Sequence, residues 1–546
     1  MPDGSQPALP AGRRGLSFGP IRERSPIWPS GRSWLDGHAA VAAIGILLAV
    51  RLVLIGQAAL IPEEAYYWMY SMHPAVGYLD HPPMVAWLIS AGTALLGPTE
   101  AGVRLATWLL AVGSTLLAYR LGVEWFGRRV GLTTALLFST APVLCGTGFV
   151  ATPDAPLIFF WLLALVALTR ACRTGQRLWW LVTGVAVGLA FMSKYPAAML
   201  LPGALLFLLS DSRGRAALRT PWPWVAVGAA LLTASPVIWW NYTHDWASFA
   251  FQFARRAGQH GHLAPLKTLG WVGAQIGVLS PLVFFVVLAA LWAALRRVRR
   301  DARGRWRFGL ALALPWLAVC AYHGLFSNIK INWPIPGYLS LLPLAAVILH
   351  RPGLTLTKAV SWRLHWVVIR RYVPAMAVIN SIILLYIAIP VPGAPRPELM
   401  APWPRLGSLA EAAEDGYQYR SGVEPFILVD GKYKLASELA FYMRDSLYVL
   451  DDWNEIVPIE TVIGGGLNYQ QWLRPERFVG RDAIFVVTEP TSKKLSVLAS
   501  CFEHVGRPRL LFSHAIGWAS RQEYWVIPCR RFLGKPTPAS ILGARE

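Results

Sequence analysis

Residues 61–87 read IPEEAYYWMYSMHPAVGYLDHPPMVAW and follow the first long apolar segment of the chain. They contain two adjacent carboxylates, Glu63 and Glu64, and an Asp80-His81 pair in front of a double proline. This position predicts a loop just outside a membrane surface. Because carboxylates at a hydrocarbon boundary are costly to desolvate, they usually mark a functional site. The alternative is an interfacial loop whose acids simply face water.

The composition indicates an α-helical polytopic membrane protein. The chain has 546 residues, of which 55% are hydrophobic and 15% charged, and its mean hydropathy is +0.42. Apolar runs of bilayer-spanning length predict about eleven transmembrane helices. The predicted spans are residues 38–60, 101–120, 130–150, 155–170, 178–193, 195–210, 223–240, 270–295, 308–326, 333–350 and 372–390. Residues 84–97 are short for a span, so we interpret them as a helix at the interface.

The positions of the basic residues predict the orientation of the chain. A net charge of +21 would suggest nucleic acid binding in a soluble protein, but here most arginines lie in short loops between apolar runs. If the N-terminal tail is cytoplasmic, roughly 26 basic residues fall on the cytoplasmic side and about five in the opposite short loops, as the positive-inside rule requires. We therefore expect a bacterial inner (plasma) membrane protein with loop 61–100 and the C-terminal region on the exported side.

The composition also divides the chain into three parts. Residues 1–37 are rich in Pro, Gly and Arg and are predicted to form a disordered cytoplasmic tail. Residues 38–390 are predicted to form the transmembrane domain, with 61–100 as its exported catalytic loop. Residues 391–546 are predicted to form a linker and a small exported α/β domain, because helix-length apolar runs are replaced by short buried strands. Its glycine run at 464–466 lacks a P-loop lysine and is interpreted as a flexible turn.

Further acids and bases are predicted on the same face of the membrane. Asp154 precedes the fourth span, Lys194 follows the fifth, and Lys330 lies between the ninth and tenth. Asp154 could instead cap its helix, and Lys194 could simply extend its amine to the interface. The loop after the seventh span contains His260 and His262, which are more simply explained as solvated histidines than as metal ligands.

Two arginines lie inside predicted spans, Arg51 in the first and Arg104 in the second. Arginine in hydrocarbon is rare without a partner. A lipid phosphate is one suitable partner, since guanidinium binds phosphate with two parallel hydrogen bonds. The alternative is an Arg–Glu pair that orders the first exported loop.

Five segments, in this order, resemble the bacterial glycosyltransferase family 39 and ArnT-like membrane enzymes, which are relatives of the protein O-mannosyltransferases. They are EEAYYW at 63–68, GYLDHPPMVAW at 77–87, PDAPLIFF at 153–160, GLAFMSKYPA at 188–197 and NWPIPGY at 332–338. The resemblance implies a GT-C fold. It further implies an inverting glycosyltransferase that moves a sugar from a polyprenyl-phosphate donor to an acceptor on the exported face. The implied acceptor is lipid A or lipopolysaccharide, another glycan or lipid, or a protein.

The resemblance also assigns candidate roles to residues. Family members usually have Asp-Glu where this chain has Glu63-Glu64, and the Asp is their catalytic carboxylate. Either Glu63 takes that role here, or Glu64 or Asp80 does. Asp80-His81 stands where ArnT-like enzymes have Glu-Lys, an acid implicated in metal binding and a phosphate-binding lysine. Because His81 would be only partly charged at neutral pH, Lys194 or an arginine is expected to hold the phosphate.

The predicted site thus combines three catalytic carboxylates, Glu63, Glu64 and Asp80, with a larger set of substrate-binding groups. A carboxylate can act as general base toward an acceptor hydroxyl, cations can stabilise the leaving phosphate, and a phosphate acceptor would need no base. The candidate substrate-binding residues are His81, Arg51, Arg104, Asp154, Lys194, Tyr66, Tyr67 and Lys330. No cofactor is required by the pattern, but a divalent metal ion at Asp80, His260 and His262 is a candidate.

Two other functions remain open from the sequence. A lipid-linked polysaccharide ligase or polymerase would show arginine pairs in a large exported loop, which Arg255-Arg256 matches weakly. A secondary transporter would place its charges near the membrane midplane, often in repeated halves. The expected partners are therefore a polyprenyl-phosphate sugar, its acceptor and membrane lipids, but no nucleic acid.

Overall fold

The structure is a computed structural model, and it describes residues 32–534 apart from internal gaps. The gaps are residues 258–262, 264, 302, 327–328, 351–366, 368–370, 390–394, 397–399, 444–454 and 464–465. Residues 1–31 of the predicted tail lie outside the described residues. The first helix begins at Arg32, so the last residues of the predicted tail, 32–37, are helical.

Helices make up most of the described chain. In order they are α1 Arg32–Leu54, α2 Pro62–Met72, α3 Met84–Leu96, α4 Glu100–Phe126, α5 Arg128–Thr140, α6 Pro142–Thr147, α7 Asp154–Thr174, α8 Arg177–Ser193, α9 Leu200–Leu209, α10 Ser212–Leu218, α11 Trp222–Thr243, α12 Ala247–Ala257, α13 Pro265–Leu279, α14 Pro281–Arg297, α15 Arg305–Phe326, α16 Ile335–His350, α17 Val373–Ala388, α18 Trp403–Ser421, α19 Lys434–Tyr442, α20 Ile459–Ile463, α21 Tyr469–Trp472 and α22 Ser492–Cys501.

Long apolar helices identify a multi-pass membrane protein. Among the described residues, six helices are long and apolar enough to cross a membrane, namely α1, α4, α7, α11, α14 with its short 3-10 extension, and α15. Shorter apolar helices accompany them, including α3, α8, α16 and α17. The predicted fold class, an α-helical polytopic membrane protein with a small C-terminal α/β domain, is confirmed. The predicted number of spans stays a prediction.

Two predicted spans are interrupted, and in each case a proline begins the second helix. The span at 130–150 divides at Ala141 into α5 and α6, and the span at 270–295 divides at Ser280 into α13 and α14. Ser280 has φ +71°, a left-handed conformation that a helix cannot contain. Proline suits a first helical position because its missing N–H has no partner there in any case. Hydropathy alone does not reveal such breaks.

Glycines allow the closest approach between membrane helices. A Cβ on Gly184 of α8 would lie 2.1 Å from the carbonyl oxygen of Ala226 in α11. Small residues at such interfaces let helix backbones pack tightly in lipid, where no hydrophobic force drives association. Helix α8 also packs antiparallel along α7. This arrangement brings Asp154 at the start of α7 next to Lys194 at the end of α8.

The C-terminal domain is built on a six-stranded mixed sheet in the order β2-β1-β3-β6-β4, with β5 paired to β6. Strand β1 pairs in parallel with β2 and β3, and β6 runs antiparallel to its neighbours. The strands are β1 Phe426–Val429, β2 Ile456–Pro458, β3 Ala483–Val487, β4 Phe502–Val505, β5 Arg509–Ala515 and β6 Arg521–Phe532. The short apolar run SLYVL at 446–450, whose composition predicts a further buried strand, lies outside the described residues. Cys501 and Cys529 are buried and free.

Helix α2 joins the membrane domain to the C-terminal domain. Its Trp68 packs edge-on against Phe441 of α19 at 5.1 Å, and its Tyr66 stacks on Tyr433 at 4.3 Å between ring centroids. These rings belong to one apolar core that continues into the sheet. Loop 61–100 is therefore held between the membrane helices on one side and the C-terminal domain on the other.

Candidate functional site

Glu64 forms a buried ion pair with Arg104, and the two residues are 0% and 1% exposed. The Arg104 Nε donates to Glu64 Oε1 at 2.7 Å, and the Arg104 Nη2 donates to Glu64 Oε2. The backbone N–H of Ala151 donates to Oε1 at 2.8 Å, and that of Ile61 donates to Oε2 at 3.1 Å. Four donors thus occupy the Glu64 carboxylate, as a buried charge requires.

The N–H groups of the Arg104 guanidinium are also all hydrogen-bonded. Its remaining N–H groups donate to three backbone carbonyl oxygens of the segment between α1 and α2, those of Ile55, Ala58 and Ala59, at 3.0, 2.6 and 2.8 Å. This geometry favours the structural alternative, an Arg–Glu pair that orders the first exported loop. Both side chains are closed off from substrate, so we interpret them as positioning residues.

Glu63 has a different environment. It is half-buried, and its Oε2 is a buried oxygen without a hydrogen-bond partner among the described residues. Burial raises the pKa of Tyr67, and the negative charges of Asp80, Asp154 and Glu63 raise it further. Glu63 therefore lies with these groups and keeps a carboxylate oxygen free to accept a proton.

Asp80 is held by donors from both domains. Its Oδ1 accepts hydrogen bonds from the Tyr70 hydroxyl and from Asn468 Nδ2, the latter at 2.7 Å. Burial raises the pKa of the Asp80 carboxyl, and these two bonds and the charge of Lys330 act in the opposite direction. The donors favour the ionised carboxylate.

His81 is poorly suited to bind phosphate by charge. Burial, followed by the positive charges of Lys194 and Lys330, lowers the pKa of His81 well below its ordinary value. The ring is therefore neutral at physiological pH, and it packs edge-on against Tyr67 at 5.6 Å between centroids. A neutral imidazole still offers one N–H donor to a ligand.

Asp154 and Lys194 form an ion pair that bridges two further connections. The Lys194 Nζ donates to both Asp154 carboxylate oxygens at 2.8 and 2.9 Å. The amide of Asn332 donates to Asp154 Oδ2 at 2.8 Å. The Asp154 side chain therefore joins three segments of the chain and makes no capping bond to its own helix.

Lys330 is the exposed cation of the cluster. Its charge acts on both Asp80 and His81, yet it forms no ion pair within the described part of the chain. Arg51, in contrast, is 2% exposed inside the helix bundle. Its Nη2 reaches the carbonyl oxygen of Ser139 at 3.5 Å, and its Nε has no partner among the described residues. Lys330 is thus the better placed of the two to meet a phosphate.

The two tyrosines of the first motif line the same loop. The Tyr66 hydroxyl accepts from Asn468 Nδ2 at 2.8 Å, and burial raises the pKa of both Tyr66 and Tyr67 well above the ordinary value. Both hydroxyls are therefore neutral, and they can donate as well as accept hydrogen bonds.

The predicted metal site stays a prediction. Within the described ranges, no three His, Cys, Asp or Glu side chains converge on a point that could hold an ion. His260 and His262 lie outside the described residues, which leaves Asp80 as the one described member of the set. The structure does not describe the side chains of Arg255 and Arg256 in α12.

Sequence reasoning missed two residues that the C-terminal domain brings to the loop. Asn468 binds Asp80, and Glu438 of α19 is fully buried close to the Glu64–Arg104 pair. Neither Glu438 oxygen has a hydrogen-bond partner among the described residues. Burial, then repulsion from Glu64, raises the pKa of Glu438 well above its ordinary value, which favours the neutral acid. No motif marks either residue, because each meets its partners hundreds of positions away.

Comparison with known proteins finds one matching family and several similar relatives. Residues 80–240 match the family described as dolichyl-phosphate-mannose-protein mannosyltransferase. The lipid A galacturonosyltransferase RgtD from Rhizobium johnstonii is 30% identical over 297 residues, which cover 53% of this chain and 60% of that protein. The undecaprenyl phosphate-α-4-amino-4-deoxy-L-arabinose arabinosyl transferase of Pseudomonas aeruginosa is 30% identical over 279 residues, which cover 43% of this chain and 50% of that protein.

The chain is similar in sequence and in fold to ArnT-like glycosyltransferases. The matches span about half to three fifths of the two relatives' own lengths. The crystal structure of ArnT from Cupriavidus metallidurans bound to undecaprenyl phosphate aligns with a TM-score of 0.60 at 17% identity, covering 91% of this chain and 98% of ArnT. The family resemblance and the GT-C fold that it implied are thereby confirmed.

Proposed function

We propose that the protein is an inverting membrane glycosyltransferase. It takes a sugar from a polyprenyl-phosphate donor and transfers it to an acceptor on the exported face of the membrane. The observation that carries this proposal is the convergence of Glu63, Asp80, His81, Asp154 and Lys330 beside the membrane helices. The names of the two relatives, which describe transfer to lipid A and use of an undecaprenyl-phosphate sugar, support it.

The proposed chemistry divides between the acids and the bases. Glu63 removes the proton from an acceptor hydroxyl, because its buried oxygen has no hydrogen-bond partner among the described residues. Lys330 and the N–H of His81 stabilise negative charge on the leaving polyprenyl phosphate. Asp154 holds Lys194 in an ion pair, which leaves Lys330 as the exposed cation without an ion pair among the described residues.

Purified protein should release undecaprenyl phosphate from an undecaprenyl-phosphate sugar when lipid A is supplied. The measurement is mass spectrometry of both lipids after incubation with donors that carry galacturonic acid or 4-amino-4-deoxyarabinose. Absence of transfer from every polyprenyl-phosphate sugar tested, in conditions where the Pseudomonas enzyme is active, would overturn the proposal.

Lys330→Met should weaken donor use by roughly 10–150-fold, because one hydrogen bond between charged groups contributes about 1.5–3 kcal/mol. The expected change is in kcat/KM for the donor, with the acceptor KM unaltered. Lys267→Met is the matched control, since Lys267 is also an exposed lysine next to the membrane helices. Equal donor kinetics in the two variants would mean that another group holds the phosphate.

We also propose that the C-terminal domain and loop 61–100 face the exported side. A cysteine at exposed Ser408 should react with a membrane-impermeant maleimide in spheroplasts, whereas one at exposed Ser212, in a predicted cytoplasmic loop, should react only after lysis. The five native cysteines are buried and give little background. The reverse labelling pattern would invert the proposed topology.

A further inference from the structure

Asn468 of the C-terminal domain directs its whole side chain into the first exported loop. Its Nδ2 lies 2.7 Å from Asp80 Oδ1, 2.8 Å from the Tyr66 hydroxyl and 2.9 Å from the Tyr70 hydroxyl. Its Oδ1 accepts from the backbone N–H of Leu79 at 2.9 Å. The residue is fully buried, so no water competes for these bonds.

The turn before Asn468 is shaped for this contact. Leu467 has φ +54°, a left-handed conformation that a branched side chain adopts only under constraint. A Cβ on Gly466 would lie 2.4 Å from Thr461 Oγ1, so a side chain there would clash. The glycine run predicted to be a flexible turn thus ends, in its described part, in a closely packed turn that presents Asn468.

The contacts of Asn468 fit a role at Asp80 in particular. An amide has two N–H groups, and three oxygens surround them. The Tyr70 hydroxyl donates to Asp80 itself, so Asn468 and Tyr70 together fix one oxygen of the carboxylate. Their donated hydrogen bonds stabilise the ionised form, against the opposing effect of burial.

We propose that Asn468 is a positioning residue, which orients the Asp80 carboxylate for the transfer reaction and does so only when the C-terminal domain is docked on the first exported loop. This inference rests on the proposed glycosyltransferase function. It makes the C-terminal domain part of the active site rather than a separate module, because the residue that completes the Asp80 environment belongs to that domain.

Asn468→Ala should lower kcat by roughly 10–150-fold, the range for one hydrogen bond to a charged group. It should leave KM for donor and acceptor nearly unchanged, because the buried Asn468 acts through the Asp80 carboxylate. Tyr70→Phe removes the other donor to Asp80 and should likewise lower kcat with little change in KM, which keeps the inference testable if Asn468→Ala does not fold.

Tyr442→Phe is the matched control. The Tyr442 hydroxyl also crosses between the domains, accepting from the Leu60 N–H at 2.8 Å and donating to Glu100 at 3.0 Å, but it does not contact Asp80. Its loss should lower the melting temperature without lowering kcat. A double exchange, Asp80→Asn with Asn468→Asp, should restore the melting temperature lost in Asn468→Asp, but not turnover.

The outcomes separate the inference from the function on which it rests. If the wild-type protein transfers sugar and Asn468→Ala and Tyr70→Phe both keep the wild-type kcat, the inference is overturned and the proposed function stands. If Tyr442→Phe lowers kcat as far as Asn468→Ala does, docking alone explains the effect and the inference is also overturned. A wild-type protein without transfer activity overturns both.

Discussion

Glu63→Gln should lower kcat for sugar transfer by about 10²–10⁴-fold, the usual contribution of a general base, and leave the melting temperature unchanged. The reason is that Glu63 is half-buried, with one buried oxygen that has no partner within the described residues. Its amide analogue has the same size but cannot accept the proton of an acceptor hydroxyl. The measurement is single-turnover transfer from an undecaprenyl-phosphate sugar, together with the melting temperature in detergent.

Glu63→Asp supplies the matched control, because it keeps a carboxylate and shortens the side chain by only one methylene. This variant keeps the carboxylate and should retain much of the wild-type turnover. Glu64→Gln supplies the second control, and it should lower the melting temperature as well as the rate, since Glu64 accepts four hydrogen bonds. Wild-type turnover by Glu63→Gln would refute the general base and indicate an acceptor phosphate, which needs none.

The two adjacent glutamates show where sequence reasoning stops. The motif could identify Glu63 and Glu64 as an unusual pair at a membrane boundary, and the resemblance could attach a catalytic role to the pair. The sequence could not show which of Glu63 and Glu64 has the catalytic role and which the structural one. Neighbouring residues on a helix point in directions about 100° apart, so the two side chains meet different surroundings. Glu64 faces α4 and meets Arg104, whereas Glu63 faces the loop cluster. The Arg–Glu alternative for Arg104 was available from the sequence, but its partner was not.

Contacts between residues close together in the sequence could be predicted better than contacts between residues far apart in it. The fold class and the convergence of Asp154 with Lys194 follow from periodic apolar helices and from their alternation across the membrane. The helix breaks at Ala141 and Ser280 are local features. They were not predicted, because hydropathy is averaged over a window as long as a membrane span. Asn468 illustrates the limit, because its contact with Asp80 spans 388 positions. Only tertiary packing between α2 and the C-terminal domain decides such a contact.

Among the residues that order loop 61–100, Arg104 of α4 should give the most destabilising single change when replaced, as Arg104→Met. It leaves the Glu64 carboxylate buried without its counter-ion, and removing one partner of a buried pair typically costs about 3–5 kcal/mol. It also removes the donors to the carbonyl oxygens of Ile55, Ala58 and Ala59. The expected result is a lower melting temperature, together with early proteolysis of loop 61–100. Glu64→Gln should be milder, because its side-chain oxygen can still accept from Arg104.

The double variant Glu64→Gln with Arg104→Met separates the ion pair from the backbone bonds. The double variant has no buried carboxylate without a counter-ion. It should therefore be more stable than Arg104→Met alone. It should nevertheless remain less stable than Glu64→Gln, since the three carbonyl oxygens still lack their donor and a buried unsatisfied polar group costs about 1–3 kcal/mol. Arg170→Met provides the comparison, as its pair with Glu124 is 26% and 14% exposed and should contribute less. If Arg104→Met were no more destabilising than Arg170→Met, the buried pair would not be what orders the loop, and Arg104 would again be a candidate for the donor phosphate.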